Sequence, residues 1–231
     1  SNIIIDLTNP VVNYTPIALT NDSTPTLSGN YSDANGVASV TVSIDGGAAQ
    51  TATLNAGAWS FTSAALTNGT HTVVVTATDN AGNVTSTTSS NIIIDLTNPS
   101  VTFTPIPFTN DNTPTLTGSY SDANGVASVT VSIDGGAQQA ATLNAGTWSF
   151  TSAVLTNGTH TVVVRATDNA GNINNTTSSN MIIDTTVLRN ITVDTTTDVV
   201  DGDTSSLAAL FYVHGGDGKI SLREAMLASN N

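Results

Sequence analysis

Cysteine is absent from the 231 residues, so no disulfide can staple the fold, and cysteine usage says nothing of the redox compartment. Basic residues are nearly absent as well. Four lysines and arginines stand against 17 acids, for a net charge of −13. Four cations cannot neutralise a phosphate backbone, which excludes nucleic acid as a partner. Lys219 is the only lysine, so Lys–Asn isopeptide crosslinks are excluded from everything before it. There is no long apolar run of membrane-spanning length, no secretory leader and no lipidation motif. A membrane is therefore not expected as a partner. The chain opens in mid-phrase at Ser1-Asn2-Ile3-Ile4-Ile5-Asp6 and reads as a piece cut from a longer protein, so missing export signals carry little weight.

What is present supports folded domains. Only 9% of residues are charged, but 39% are hydrophobic and the mean hydropathy is +0.08, enough to form a core. The acids are one-sided: 16 of the 17 are Asp, and only Glu224 is Glu. Short Asp side chains in Gly- and Asn-rich loops suit calcium, a hard cation that wants several oxygens brought close together. Asp also suits turns for its own backbone hydrogen bonds, and both readings stay open at this point.

A shift of 89 residues aligns the chain with itself without a gap, with 73 of 89 positions matching between residues 1–89 and 90–178. The opening phrase returns a third time as Ser179-Asn180-Met181-Ile182-Ile183-Asp184. Such a period is too long for a solenoid unit and fits one β-sandwich domain. Each repeat reads as seven short strands. The clearest alternates Val40, Val42 and Ile44 with Ser39, Thr41 and Ser43, and Asp45-Gly46-Gly47 closes it as a tight hairpin. Trp59 and Phe61 share one strand face. The turn Asp79-Asn80-Ala81-Gly82-Asn83 leads into a last strand ending at Asp95. The expected fold class is all-β: two tandem β-sandwiches, residues 1–95 and 96–186, followed by a small mixed α/β C-terminal segment, 187–231.

The stretches Trp59-Ser60-Phe61, Leu66-Thr67-Asn68-Gly69-Thr70-His71-Thr72-Val73 and Ala77-Thr78-Asp79-Asn80-Ala81-Gly82-Asn83, with their counterparts from Trp148 to Asn172, resemble the bacterial Ig-like repeats of giant adhesins. The resemblance covers roughly residues 1–186. It implies that the two tandem sandwiches are Ig-like β-sandwiches and that they are extender modules, often stiffened by calcium at domain junctions, that hold a ligand-binding tip away from the cell.

In such a sandwich the second-to-third and sixth-to-seventh loops share the end where the chain enters. That placement gathers Asp6, Asp33 and Asp79 in the first repeat and Asp95, Asp122 and Asp168 at the junction before the second. Unpaired carboxylates about 4 Å apart repel by about 4 kcal/mol at an effective dielectric near 20, a cost that calcium would reverse. Asp184 holds the equivalent place after the second repeat. Asp22 and Asp111 are weaker candidates. Asp45 and Asp134 read as hairpin residues, His71 and His160 as satisfied strand-end histidines, and Trp59 and Trp148 as core aromatics rather than sugar-stacking platforms.

The tail departs from the repeat. Val187–Val193 reads as a strand, Ser206–Val213 as a short helix, and Ser221 with Glu224 as a capping box opening a second helix. Asp217, Gly218, Ile220 and Glu224 fall at EF-hand positions five, six, eight and twelve, but the first and third positions are Val213 and Gly215. Asp201 or Asp203 would have to supply the missing oxygens. Ile220-Ser221-Leu222-Arg223-Glu224-Ala225 also resembles the Cys-Ser-Leu-Arg-Glu-Ala motif that caps right-handed parallel β-helices, with Ile220 in place of its Cys.

No Ser/His/Asp set, phosphate-binding loop or zinc spacing emerges, and the paired acids recur domain by domain, as a structural ion requires and an active site does not. The expected function is a non-enzymatic stalk of a secreted or cell-surface adhesin, monomeric and rigidified by calcium. Its partners would be neighbouring repeats of the same chain, and a host-surface or biofilm glycan or protein reached through other regions. The alternatives are an accessory carbohydrate-binding or spacer module of a secreted β-helix polysaccharide-active enzyme, and homotypic adhesion between repeats.

Overall fold

The computed structural model describes residues 5–17, 19–88, 91–177 and 181–186. The tail strand, the tail helices, Asp201, Asp203, Asp217, Glu224 and the β-helix cap expected from the sequence lie outside the described residues. All regular structure among the described residues is β, and none of it is a helix long and apolar enough to cross a membrane.

The first repeat contains β1 (Val11–Val12), β2 (Leu19–Thr20), β3 (Thr26–Ser32), β4 (Val37–Ile44), β5 (Gln50–Thr51), β6 (Thr53–Asn55), β7 (Ala58–Thr62), β8 (Gly69–His71), β9 (Val73–Asp79), β10 (Val84–Thr88) and β11 (Ile92–Ile94). They form sheets ordered β1-β3-β7-β6, β10-β9-β4-β5 and β2-β11-β8. The second repeat reproduces this order with β12 (Ser100–Val101), β13 (Phe108–Thr109), β14 (Thr115–Ser121), β15 (Val126–Ile133), β16 (Gln139–Ala140), β17 (Thr142–Asn144), β18 (Thr147–Thr151), β19 (Gly158–His160), β20 (Val162–Asp168), β21 (Ile173–Thr177) and β22 (Met181–Ile183).

Period-two patterning sets the core. Along β9, Val73, Val75 and Ala77 are buried while Val74, Thr76 and Thr78 are half-buried, and β4 buries Val40 and Val42 against it. Trp59 is 1% exposed and belongs to the same core as Leu27, Ile92 and Ile94. Its ring stacks on Tyr14 at 6.3 Å, as Trp148 stacks on Phe103 at 6.2 Å. Each indole N–H donates to a main-chain carbonyl, Asn13 O or Thr102 O, at 2.9 Å. The glycine opposite each indole is required: a Cβ on Gly29 or Gly118 would lie 2.1 Å from that same carbonyl oxygen.

Two runs of the chain, one of them read from the sequence as a single last strand, are each divided between sheets. The run after Asp79 is β10 in one sheet and then β11 in another, and residues 50–55 cross between sheets at buried Ala52 as β5 and β6. Both crossings let one short run serve two layers. β11 is central in its sheet, antiparallel to β8 and parallel to β2.

The described residues form two compact units. One comprises those up to Ser100 with Ser121–Ala127 and Thr167–Asn174; the other comprises Val101–Tyr120, Ser128–Ala166 and those from Asn175 onward. The loops carrying Asp122 and Asp168 therefore belong to the same unit as Asp95.

Candidate metal centres

Asp33 sits in the turn between β3 and β4, Asp79 ends β9, and Asp6 precedes the first strand. The structure brings one carboxylate oxygen from each to within 4.8 Å of the other two, and does the same for Asp95, Asp122 and Asp168. The second triad lies wholly within the first compact unit. Asp79, Asp95 and Asp168 are buried, while Asp6, Asp33 and Asp122 are partly exposed.

Local backbone fixes each acid. Asp6 Oδ1 accepts the Thr8 N–H at 3.0 Å, and Asp95 Oδ1 that of Thr97 at 3.0 Å. Asp33 and Asp122 accept the N–H two residues on, from Asn35 and Asn124, each at 2.8 Å. These are Asx turns, the reason Asp suits such loops. Asp168 Oδ1 takes three N–H groups, from Ala170, Gly171 and Asn172, at 2.7–2.9 Å. Its Oδ2 takes the Asn172 side-chain amide at 2.8 Å. Asp79 is held the same way by Ala81 and Asn83. Burial pushes the Asp79 carboxyl up, but the bonds from Asn83, Ala81 and Gly82 outweigh it and hold the group below the ordinary carboxylate value.

The donor set fits a hard cation. Every side-chain donor is a carboxylate oxygen, the chemistry that calcium takes and that softer metals favour less. Asp6 Oδ2 is buried with no hydrogen-bond partner, an acceptor left open on one member of the first triad. Asp95 Oδ2 differs in receiving the Asn124 amide at 3.0 Å. When bound, calcium would supply the positive charge that lets three close carboxylates coexist.

The remaining candidates fall elsewhere. Asp184 Oδ1 accepts the Thr186 N–H at 2.8 Å and also the Thr186 hydroxyl, and the acid clusters among the described residues do not include it. Asp22 and Asp111 cap their own turns through Thr24 and Thr113. In the second unit, a groove of 460 Å³ runs over Gly118 and Trp148 between Thr102 and Thr147. Trp148 is 1% exposed there, so it presents no aromatic face for sugar stacking.

Sequence reasoning did not name the partners of the two histidines. His71, read as a satisfied strand-end histidine, places Nδ1 2.6 Å from Asp45 Oδ2 and Nε2 2.9 Å from Thr67 O. His160 repeats this with Asp134 and Thr156 at 2.7 and 2.8 Å. Both ring nitrogens are engaged, which leaves neither free to act as a base. The partners are 26 residues apart, beyond any local spacing signal.

Comparison with known proteins follows the same lines. No curated protein matches the sequence. The chain is similar in shape to the fibronectin(III)-like modules of Clostridium thermocellum CbhA, at 15% identity and TM-score 0.46, over 75% of this chain and 93% of that one. It is similar to a structure of a 1.5-MDa bacterial ice-binding adhesin, at 21% identity and TM-score 0.47, over 77% and 66%. It is also similar to a tetra-tandem repeat from the extending region of a large adhesion protein, at 27% identity and TM-score 0.33, over 77% of this chain and 49% of that one. The family profile of the bacterial Ig-like domain matches twice, at residues 18–96 and 107–185. With two such matches over most of its length, on two sandwiches of one strand order, the chain belongs to the bacterial Ig-like domain family.

Proposed function

We propose that this region is a non-catalytic extender of a secreted or cell-surface adhesin, rigidified by calcium at Asp6/Asp33/Asp79 and Asp95/Asp122/Asp168. The observation that carries the reading is the recurrence of one triad at one place in both repeats, each drawing its first acid from the segment that enters the sandwich. Catalytic sites are seldom duplicated with their scaffold, whereas a structural ion is needed once per module.

The residues divide the work. Asp79 and Asp168 are fixed by hydrogen bonds from their own loops. Asp33 and Asp122 approach from the turn after β3 and β14. Asp6 and Asp95 come from the connecting segments, so ligation by all three ties a connecting segment to the loops of the sandwich it enters. A flexible array of modules would thereby be held extended.

The test is thermal melting and small-angle X-ray scattering with calcium and with EDTA. The expected result is a higher melting temperature and a larger radius of gyration with calcium, both abolished by combining Asp33→Asn and Asp122→Asn. Indifference of both quantities to calcium would sink the proposal.

A further inference from the structure

Asn83 and Asn172 occupy equivalent places in the two repeats, and each makes a bridge that the acids alone do not explain. The Asn172 side-chain amide donates at 2.8 Å to the main-chain carbonyl of Asp95, 77 residues away, and at 2.8 Å to Asp168 Oδ2. Asn83 donates to Asp6 O at 3.1 Å, to Thr8 O at 3.2 Å and to Asp79 Oδ2 at 2.8 Å. A primary amide carries two protons, so one group can serve a carbonyl and a carboxylate together. The bridge joins the main chain of the first acid of each triad to the side chain of the third.

This arrangement presets the centre in two ways. It holds the connecting segment beside the ligand loop by protein hydrogen bonds alone. It also fixes the rotation of the Asp168 carboxylate. Oδ1 is saturated by three backbone N–H groups, and Oδ2 keeps a lone pair beyond the one that Asn172 occupies. Few other side chains fit. Alanine would leave a carbonyl and a carboxylate without their donor, and aspartate would add a fourth negative charge to the cluster.

We propose that Asn83 and Asn172 are positioning residues of the two calcium centres, setting the carboxylates in place before the ion arrives. The inference rests on the calcium reading above. Groups that orient metal ligands from behind typically change metal affinity by about 10–100-fold when removed, and that is the size of effect expected here.

The experiment is isothermal calcium titration of the whole chain, with melting in EDTA alongside. Asp33→Asn disables the first centre, so its titration reports the second; Asp122→Asn does the reverse. Asn172→Ala should weaken calcium binding about tenfold or more in the D33N chain and leave it unchanged in the D122N chain, with Asn83→Ala showing the opposite pattern. Should N172A fail to fold, Asn172→Ser keeps one donor and is expected to give an intermediate loss. A merely structural role would lower the melting temperature in EDTA and leave the affinity of the folded protein intact. Equal affinity in N172A and its parent overturns the positioning role while the calcium reading stands. A parent chain that takes up no calcium overturns the calcium reading and the positioning role with it.

Discussion

His71 Nδ1 lies 2.6 Å from Asp45 Oδ2, joining the β4–β5 hairpin to the end of β8. With the Thr67 carbonyl on Nε2, both nitrogens face acceptors, which suits the doubly protonated imidazolium. The Asp45 hydrogen bond first, then the Thr67 carbonyl, raises the His71 pKa above its ordinary value against the opposing effect of burial. The same bond and the Thr72 N–H lower that of Asp45. His160 and Asp134 behave alike.

The sign of the pH dependence follows. The histidine contribution is fully present below the unfolded value of about 6.5 and is lost as pH rises through the higher folded value. The Asp45 contribution is present above about pH 3.9 and is lost as pH falls through its lower folded value. In calcium-free protein the two pairs should therefore contribute most between about pH 4 and 6.5. His71→Gln with His160→Gln should flatten the decline on the alkaline side. Asp45 is half exposed, so each pair is expected to contribute nearer 1 than 3 kcal/mol. Melting temperature against pH in EDTA measures this, and a slope unchanged in the double variant would refute it.

Gly118→Ala should destabilise the second repeat by about 1–3 kcal/mol or more. The added methyl meets the Thr102 carbonyl and the Trp148 indole nitrogen, neither of which can move without breaking the bond between them. Trp148→Ala should cost about 3–5 kcal/mol through the cavity it leaves. Urea denaturation of both variants is the check, and a neutral G118A would show that β12 can shift outward.

Ala56 and Ala145 adopt φ of +47° and +44° in the two-residue loops between β6 and β7 and between β17 and β18. A left-handed non-glycine residue costs about 1–2 kcal/mol, and glycine there returns about 0.5–1 kcal/mol of that as unfolded-chain entropy. Ala56→Gly and Ala145→Gly should each stabilise by up to about 1 kcal/mol. Calorimetry that finds either substitution destabilising would overturn the account of that turn.

Asp79→Asn should destabilise calcium-free protein by mismatching the hydrogen bond that Asn83 gives to Oδ2. The new amide keeps an oxygen for the Ala81 and Asn83 N–H groups but turns its own NH2 toward the Asn83 side-chain amide, which has lost its acceptor. Because the Asp79 carboxyl is held below its ordinary value, its contribution is present above about pH 3.9 and is lost as pH falls through the lower folded value. The deficit of D79N relative to wild type should accordingly shrink in strong acid, which paired acid titrations followed by circular dichroism would reveal.

The sandwiches were legible because their cause is local. The alternation along β4 and β9, the turn at Asp45-Gly46 and the burial of Trp59 each follow from a few adjacent residues. The triads were legible only through the repeat and the adhesin resemblance, which told where loops distant in sequence would meet. The histidine–aspartate pairs and the Asn83 and Asn172 bridges were not. Their partners stand 26 and 77 residues apart, and Asn in a Gly-rich turn already has an ordinary explanation. The division of the last strand into β10 and β11 escaped for another reason: Val84 to Ile94 carries no proline or glycine to mark the crossing.

The parallel pairing of β2 with β11 bears on how the first repeat meets load. Force applied to the ends of this repeat would meet β1 first and, once β1 is freed from β3, would act between β2 and the end of β11, which run alongside each other. Tension along the chain would therefore drag these neighbours past one another, straining their hydrogen bonds together rather than peeling them singly. Resistance would come from the fully buried Ile92 and Ile94, which must leave the core before the strand can slide. The strand that would bear such tension is the one that leads directly into Asp95.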